Sequence, residues 1–219
     1  MKQTIVLFDL DGTLIDSTEA ICESFNKVFE SHNKNKPNLE ILTSKIGYTL
    51  EDMFEALEVP KDSIPTYVES YKKYYREICN IKTNLLPNAK DSIIEAYSFA
   101  HLGIVTTKTG KYSKELLEHF GLLKYFSCVI GREDVTYPKP NKEPVIKAIN
   151  AISKNIAKDN IYLIGDTQLD IQAANDANIN SIAVTTGYAS VELLQKYTSN
   201  IEKDSLYAIL KIKEILGIK

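Results

Sequence analysis

The chain has 219 residues, 44% of them hydrophobic and 25% charged, with a formal net charge of −3. That length holds one large domain or a core with a smaller companion, and the composition excludes an intrinsically disordered chain. No apolar run approaches a membrane span, and an acidic balance without a basic tract offers no electrostatic platform for nucleic acid or anionic lipid.

The first element is IVLFDL (5–10), an apolar run that begins like a secretory leader. Asp9 and Asp11 interrupt it far short of a leader's apolar core, so the chain reads as cytoplasmic. Residues 16–83 follow as a helical insert. Asp16 with Glu19 predicts a capping box ahead of Ile21, Phe25, Val28 and Phe29, and Thr49 with Asp52 predicts another ahead of Met53, Phe54 and Leu57. Tyr67, Tyr71, Tyr74 and Tyr75 share one face of a third helix; such a stripe is read as the insert's own core rather than an aromatic substrate cage. HNKNKPN (32–38) is a solvated loop.

Beyond the insert, GIVTT (103–107), FSCVI (126–130), IYLIG (161–165) and SIAVT (181–185) read as buried parallel strands. Helical spacing lies between them, at Leu116, Leu117 and Phe120, at Val145, Ile146 and Ile149, and at Ile171, Ala174 and Ala177. A last helix runs through Leu206, Ile209, Leu210 and Ile212. Strand and helix in alternation predict an α/β fold, a doubly wound parallel sheet built from 1–15 and 84–219 and interrupted by 16–83. Cys22, Cys79 and Cys128 lack metal-ligand or disulfide spacing and read as reduced core thiols. His32, His101 and His119 form no ligand pair.

Chemistry gathers at the strand ends, where open parallel sheets bind ligands. If the first strand persists through Leu10, Asp9 and Asp11 project together, and Gly12 turns the chain sharply. Two adjacent carboxylates repel, so either one is protonated or a cation sits between them, with magnesium the natural oxygen-seeking candidate. Asp11-Gly12 also fits a hairpin turn, but a sheet whose strands alternate with helices argues against one. Thr106 offers a hydroxyl, Lys139 stands between Pro138 and Pro140, and Asp166 and Asp170 follow IYLIG. Taken singly, these are a β-former, a surface lysine and a helix N-cap. Together they suit phosphoryl transfer, which needs a group positioned and its oxygens neutralised.

These residues carry a resemblance to the haloacid dehalogenase superfamily of phosphohydrolases, in DLDGT (9–13), GIVT (103–106), KP (139–140) and GDTQLD (165–170). HFGLLKYFSCVIGREDV (119–135) is similar to the phosphoglycolate phosphatase and β-phosphoglucomutase branch, and the insert matches that branch's helical cap. The resemblance implies that Asp9 is the nucleophile and Asp11 the acid and base. It implies that Thr106 and Lys139 hold the transferring group, and that Asp9, Asp166 and the main-chain carbonyl of Asp11 bind Mg2+ with Asp170 in support. Hinges are expected near Ile15–Asp16 and Thr83–Leu86. Gly47 and Tyr48 stand where related caps meet substrate, and Thr107 replaces the usual Asn, altering contacts to phosphate or leaving group. KIGYTLED (45–52) carries Leu50 where the mutases have a basic residue, so a second anionic anchor is expected to be missing. The expected activity is hydrolysis of a small phosphorylated metabolite such as phosphoglycolate. β-Phosphoglucomutase and pyrophosphatase activity are the enzymatic alternatives, and a phospho-accepting receiver-like module is the non-enzymatic one. Monomer and homodimer stay equally open.

Overall fold

The computed structural model describes residues 2–153 and 155–218. Strand β1 (Thr4–Phe8) is buried along its whole length, as a sheet covered by helices on both faces requires. Val6 and Phe8 face one layer with Leu102, Ile104 and Ile164. Ile5 and Leu7 face the other, with Val145, Ala148, Ala173 and Ala174.

The chain then runs through β2 (Ile15–Asp16), α1 (Thr18–Ser31), α2 (Leu39–Ser44), α3 (Leu50–Ala56), α4 (Ile64–Ile78) and β3 (Asn84–Leu85). Strands β2 and β3 pair antiparallel, Ile15 with Leu85 and Asp16 with Asn84, so both crossings into the insert share one short ribbon. The insert packs on aromatic rings: Phe25 lies 4.5 Å from Phe54 and 5.0 Å from Tyr71, and Phe29 lies 5.7 Å from Tyr67, centre to centre. Tyr67, Tyr71 and Tyr75 are buried while Tyr74 is only partly covered. The stripe is therefore largely core, but Tyr71 and Tyr75 also reach the cavity beneath the insert.

The two predicted helix starts fare differently. Thr49 caps α3, accepting from the Asp52 amide and donating to its carboxylate. The Asp16–Glu19 box does not form. Ser17 precedes α1 instead, and its hydroxyl is drawn to the buried Asp11 carboxylate rather than to the helix amides.

The remaining elements are α5 (Ala89–Phe99), β4 (Ala100–Val105), α6 (Gly110–His119), β5 (Phe126–Ile130), α7 (Glu143–Ile152), β6 (Ile161–Gly165), α8 (Gln168–Ala177), β7 (Asn180–Val184), α9 (Val191–Leu194), β8 (Ile201–Glu202) and α10 (Ser205–Leu216). The sheet order is β5-β4-β1-β6-β7-β8, parallel throughout. From β1 the chain builds outward through β4 and β5, then crosses back to β6 on the other side. That reversal opens a crevice at the carboxyl end of β1, the place such sheets use for ligands.

Candidate active site

Strand β1 stops at Phe8, and the Asp9 amide still donates to the Ile164 carbonyl at 2.8 Å, which anchors Asp9 against β6. After it the chain coils. The Leu10 carbonyl accepts from the amides of Leu14 and Ile15 at 2.9 and 3.0 Å, and Gly12 takes φ +80°. A side chain at Gly12 would meet both that left-handed backbone and the Asp166 carboxylate. A side chain at Gly187 would also run into Asp166.

This coil ends the strand at Phe8, so strand alternation does not set the relation of Asp9 to Asp11. The acids gathered with Asp9 are Asp166 and Asp170, each offering a carboxylate oxygen within 4.8 Å of the others. All three are at most 2% exposed. Asp166 accepts from the Thr13 hydroxyl and the Tyr188 amide, both at 3.0 Å. It is not the cap of α8: Thr167 takes that position, and its amide and hydroxyl bond Asp170 at 3.1 and 2.7 Å.

Lys139, buried as well, reaches into this cluster, 2.9 Å from Asp9 Oδ1 and in an ion pair with Asp170. Asp9 Oδ1 faces this ammonium and accepts no other hydrogen bond among the described residues. One ammonium facing three carboxylates leaves an excess of negative charge. Burial, with Asp170 adding to it against the pull of Lys139, pushes the Asp9 carboxyl up to about 7. Burial and the neighbouring Asp9 and Asp170 hold Asp166 well above the carboxylate range. Desolvation alone would lower Lys139, but Asp170 and Asp9 outweigh it and keep the ammonium above its usual value. Asp9 and Asp166, buried hard oxygen donors in a cluster whose negative charge one ammonium does not offset, fit Mg2+, with Asp170 beside them.

Asp11 belongs to a second pair. Its carboxylate lies 3.1 Å from Lys108 Nζ and accepts from Ser17. Lys108 lies 4.4 Å from the centre of the Tyr75 ring. Burial would lower this ammonium, but Asp11 and Tyr75 hold it above its ordinary range. Asp11 and Lys108 line a cavity between the α/β layer and the insert that leaves about 60 Å³ open to the centres of water molecules. Thr106 sits at the same end of the sheet, its hydroxyl accepting from the Lys108 amide at 3.1 Å. The insert closes the cavity through its loop: Thr107 donates to the Gly47 carbonyl at 2.9 Å, and Gln168 Nε2 donates to the Tyr48 hydroxyl at 2.7 Å.

Asp9, Thr106 and Asp166 directly follow β1, β4 and β6, and Lys139 comes from the loop between β5 and α7. The sequence profile of haloacid dehalogenase-like hydrolases matches residues 6–184. The chain belongs to this family. It is 33% identical over 220 residues to pyrophosphatase PpaX of Oceanobacillus iheyensis, covering 100% of this chain and 97% of that protein. It is 27% identical over 229 residues to phosphoglycolate phosphatase of Salmonella typhi, covering 94% and 90%. Among solved structures, a haloacid dehalogenase-like family hydrolase from Streptococcus pneumoniae superposes with a TM-score of 0.84 at 26% identity, covering 95% of this chain and 97% of that one.

Within this haloacid dehalogenase-like hydrolase, Asp9, Lys139, Asp166 and Asp170 share one buried cluster, and Asp11, Gly47, Tyr48 and Thr107 line the cavity. Thr107 donates its hydroxyl to the Gly47 carbonyl of the insert. Asp170 pairs with Lys139 and bonds Thr167 at the start of α8. Sequence reasoning passed over Lys108 and Ser17, the two groups that hold Asp11. Their one signal was adjacency, Lys108 two residues after Thr106 and Ser17 six after Asp11.

Proposed function

We propose that this hydrolase is a magnesium-dependent phosphatase that cleaves a small phosphorylated metabolite or pyrophosphate through an aspartyl-phosphate on Asp9. The observation that carries the reading is the separation of two acid–lysine pairs. Asp9 with Lys139 lies among the buried carboxylates, and Asp11 with Lys108 faces the cavity.

A carboxylate oxygen of Asp9 attacks phosphorus while Lys139 and the Thr106 hydroxyl hold the non-bridging oxygens. Asp11, on the cavity side, protonates the departing oxygen. It then takes a proton from the water that attacks the phosphoaspartate, releasing phosphate and restoring both carboxyl groups. Asp9, Asp166 and the Asp11 main-chain carbonyl are the groups to hold Mg2+. Bound there, the ion would offset the charge that phosphate adds to the carboxylates. The closed insert keeps bulk water from the intermediate. The reading includes a cytoplasmic location; among the described residues no helix is long and apolar enough to cross a membrane.

Pyrophosphate is favoured as one substrate because PpaX matches over the whole chain. The phosphoglycolate phosphatase match supports short phosphomonoesters equally. Phosphate release from pyrophosphate, phosphoglycolate, p-nitrophenyl phosphate and β-glucose 1-phosphate, with magnesium and with chelator, tests the proposal. Turnover is expected only with the metal. Equal rates in excess chelator would sink it, and isomerisation of the glucose phosphate would redirect it to a mutase.

Magnesium affinity is expected to fall as the pH drops below about 7. In the metal-free protein a proton on Asp9, with its carboxyl pushed up to about 7, competes with the cation. The apparent Kd should weaken by up to about tenfold per pH unit on the acid side, the slope of one displaced proton, and level off on the alkaline side. Calorimetric titrations in two buffers of different ionisation enthalpy read both the slope and the proton released. A Kd constant from pH 5.5 to 8 would contradict the assignment of Asp9 to the metal.

A further inference from the structure

The cavity beside Asp11 contains two polar groups that nothing so far described employs. Tyr75 is 1% exposed, and its hydroxyl makes no well-formed hydrogen bond among the described residues, with the Lys108 ammonium beside its ring. Arg132 lines the same space, and its Nε is buried and likewise unpartnered. Its backbone is pinned beside Lys108, with the Arg132 amide donating to the Lys108 carbonyl at 3.0 Å. The side chain makes one hydrogen bond, from Nη1 to the Val135 carbonyl at 3.2 Å.

The acids next to Arg132 in sequence do not neutralise it. Glu133 accepts from the amides of Gly110 and Lys111, at the start of α6, and Asp134 accepts from the Gly131 amide. Lys72 adds a third cation to the lining. Against these stand Asp11, already paired with Lys108, and Glu51 on the exposed rim. An Arg Nε–H can only donate, and burying it unpaired is costly. A ligand with acceptor oxygens removes that cost; an apolar ligand does not.

We infer that Arg132 and the Tyr75 hydroxyl, flanked by Lys108, form an anion subsite for the leaving group, so that the preferred substrate is a compact phosphate whose departing half carries its own carboxylate or phosphate. The inference rests on the phosphatase reading, since it takes Asp11 to mark where the leaving group sits. It departs from the expectation that a second anionic anchor is missing. Leu50 does leave the cap loop without one, but the α/β layer supplies it through Arg132 and α4 through Tyr75. About 60 Å³ of space for water centres corresponds to roughly half a dozen water positions, which favours a compact leaving group.

Arg132→Met and Tyr75→Phe test the subsite with two readouts. In turnover, Arg132→Met should lower kcat/KM for phosphoglycolate and pyrophosphate roughly ten- to hundredfold more than for p-nitrophenyl phosphate, the scale of a lost charged hydrogen bond. The loss should fall mainly on KM, and Arg132→Lys should recover part of it. Tyr75→Phe should shift the same ratio in the same direction by less. In binding, an Asp9→Asn protein should hold methylenediphosphonate more tightly than methylphosphonate, and the added Arg132→Met change should erase the difference. Equal losses on charged and neutral leaving groups, or no difference between the two phosphonates, would overturn the subsite. A retained phosphonate preference in a protein that hydrolyses nothing would uphold the subsite and overturn the phosphatase reading instead.

Discussion

Asp9→Asn is expected to abolish turnover and, in the absence of metal, to make the protein more stable. Loss of the attacking carboxylate removes the covalent route, so the rate should fall roughly 10⁴-fold or more. The stability gain follows from linkage. Burial, reinforced by Asp170, holds the folded-state carboxyl at about 7 against 3.8 for the free side chain. Between those values the unfolded chain gives up its proton while the folded one keeps it, so metal-free stability is highest at acid pH and declines as pH rises through about 7. Asparagine keeps the shape and removes the charge. At pH 8 without metal the variant should melt higher by roughly 5 °C, corresponding to on the order of 2 kcal/mol in a chain of this length. The decline between pH 4 and 7 should flatten as well. In saturating magnesium the order should reverse, because the wild type gains more from the cation than the variant can. Melting curves with and without magnesium at pH 5 and 8 check all three statements. A variant that is inactive but melts lower than the wild type under every condition would mean that Asp9 is a structural acid, with its loss of activity following from damage to the fold.

The residues legible in sequence were those fixed by a single strand. An apolar run that ends in Asp9, Thr106 or Asp166 already states where the side chain lies, because a parallel strand delivers its last residue to the crevice. Lys139 was legible for a related reason, held by prolines just after β5. What could not be read depends on contacts made across the chain. Lys108 resembles any lysine in a polar loop until Tyr75, from the insert, covers it. Arg132 gains its meaning from the cavity that the insert encloses. Strands β2 and β3 have two residues each, too few to show any period, and they find one another only once the insert has folded between them. Alternation could not place Asp11, because β1 ends at Phe8 and the bonds to the Leu10 carbonyl turn the chain there.

Lys139→Met should produce the opposite stability change to Asp9→Asn. The methionine retains most of the buried stem, so the packing loss is small, but the carboxylates of Asp9, Asp166 and Asp170 lose the ammonium that faces them. Removing one partner of a buried ion pair costs about 3–5 kcal/mol, because the remaining charge is stranded. Without metal the variant should therefore melt well below the wild type at pH 8, less so at pH 5, where protons relieve the carboxylates. Magnesium should raise its melting temperature more than it raises that of the wild type. Activity should fall by about 10²–10³-fold even when magnesium is saturating, since the cation takes over the charge balance but not the grip on the phosphoryl oxygens. Because Lys139 and Asp9 touch, their effects should not add. Asp9→Asn with Lys139→Met should be more stable without metal than Lys139→Met alone, a carboxylate fewer being left unpaired. A double variant that is simply the sum of the two singles would show that Lys139 stabilises the fold through its stem, and that its charge is balanced elsewhere.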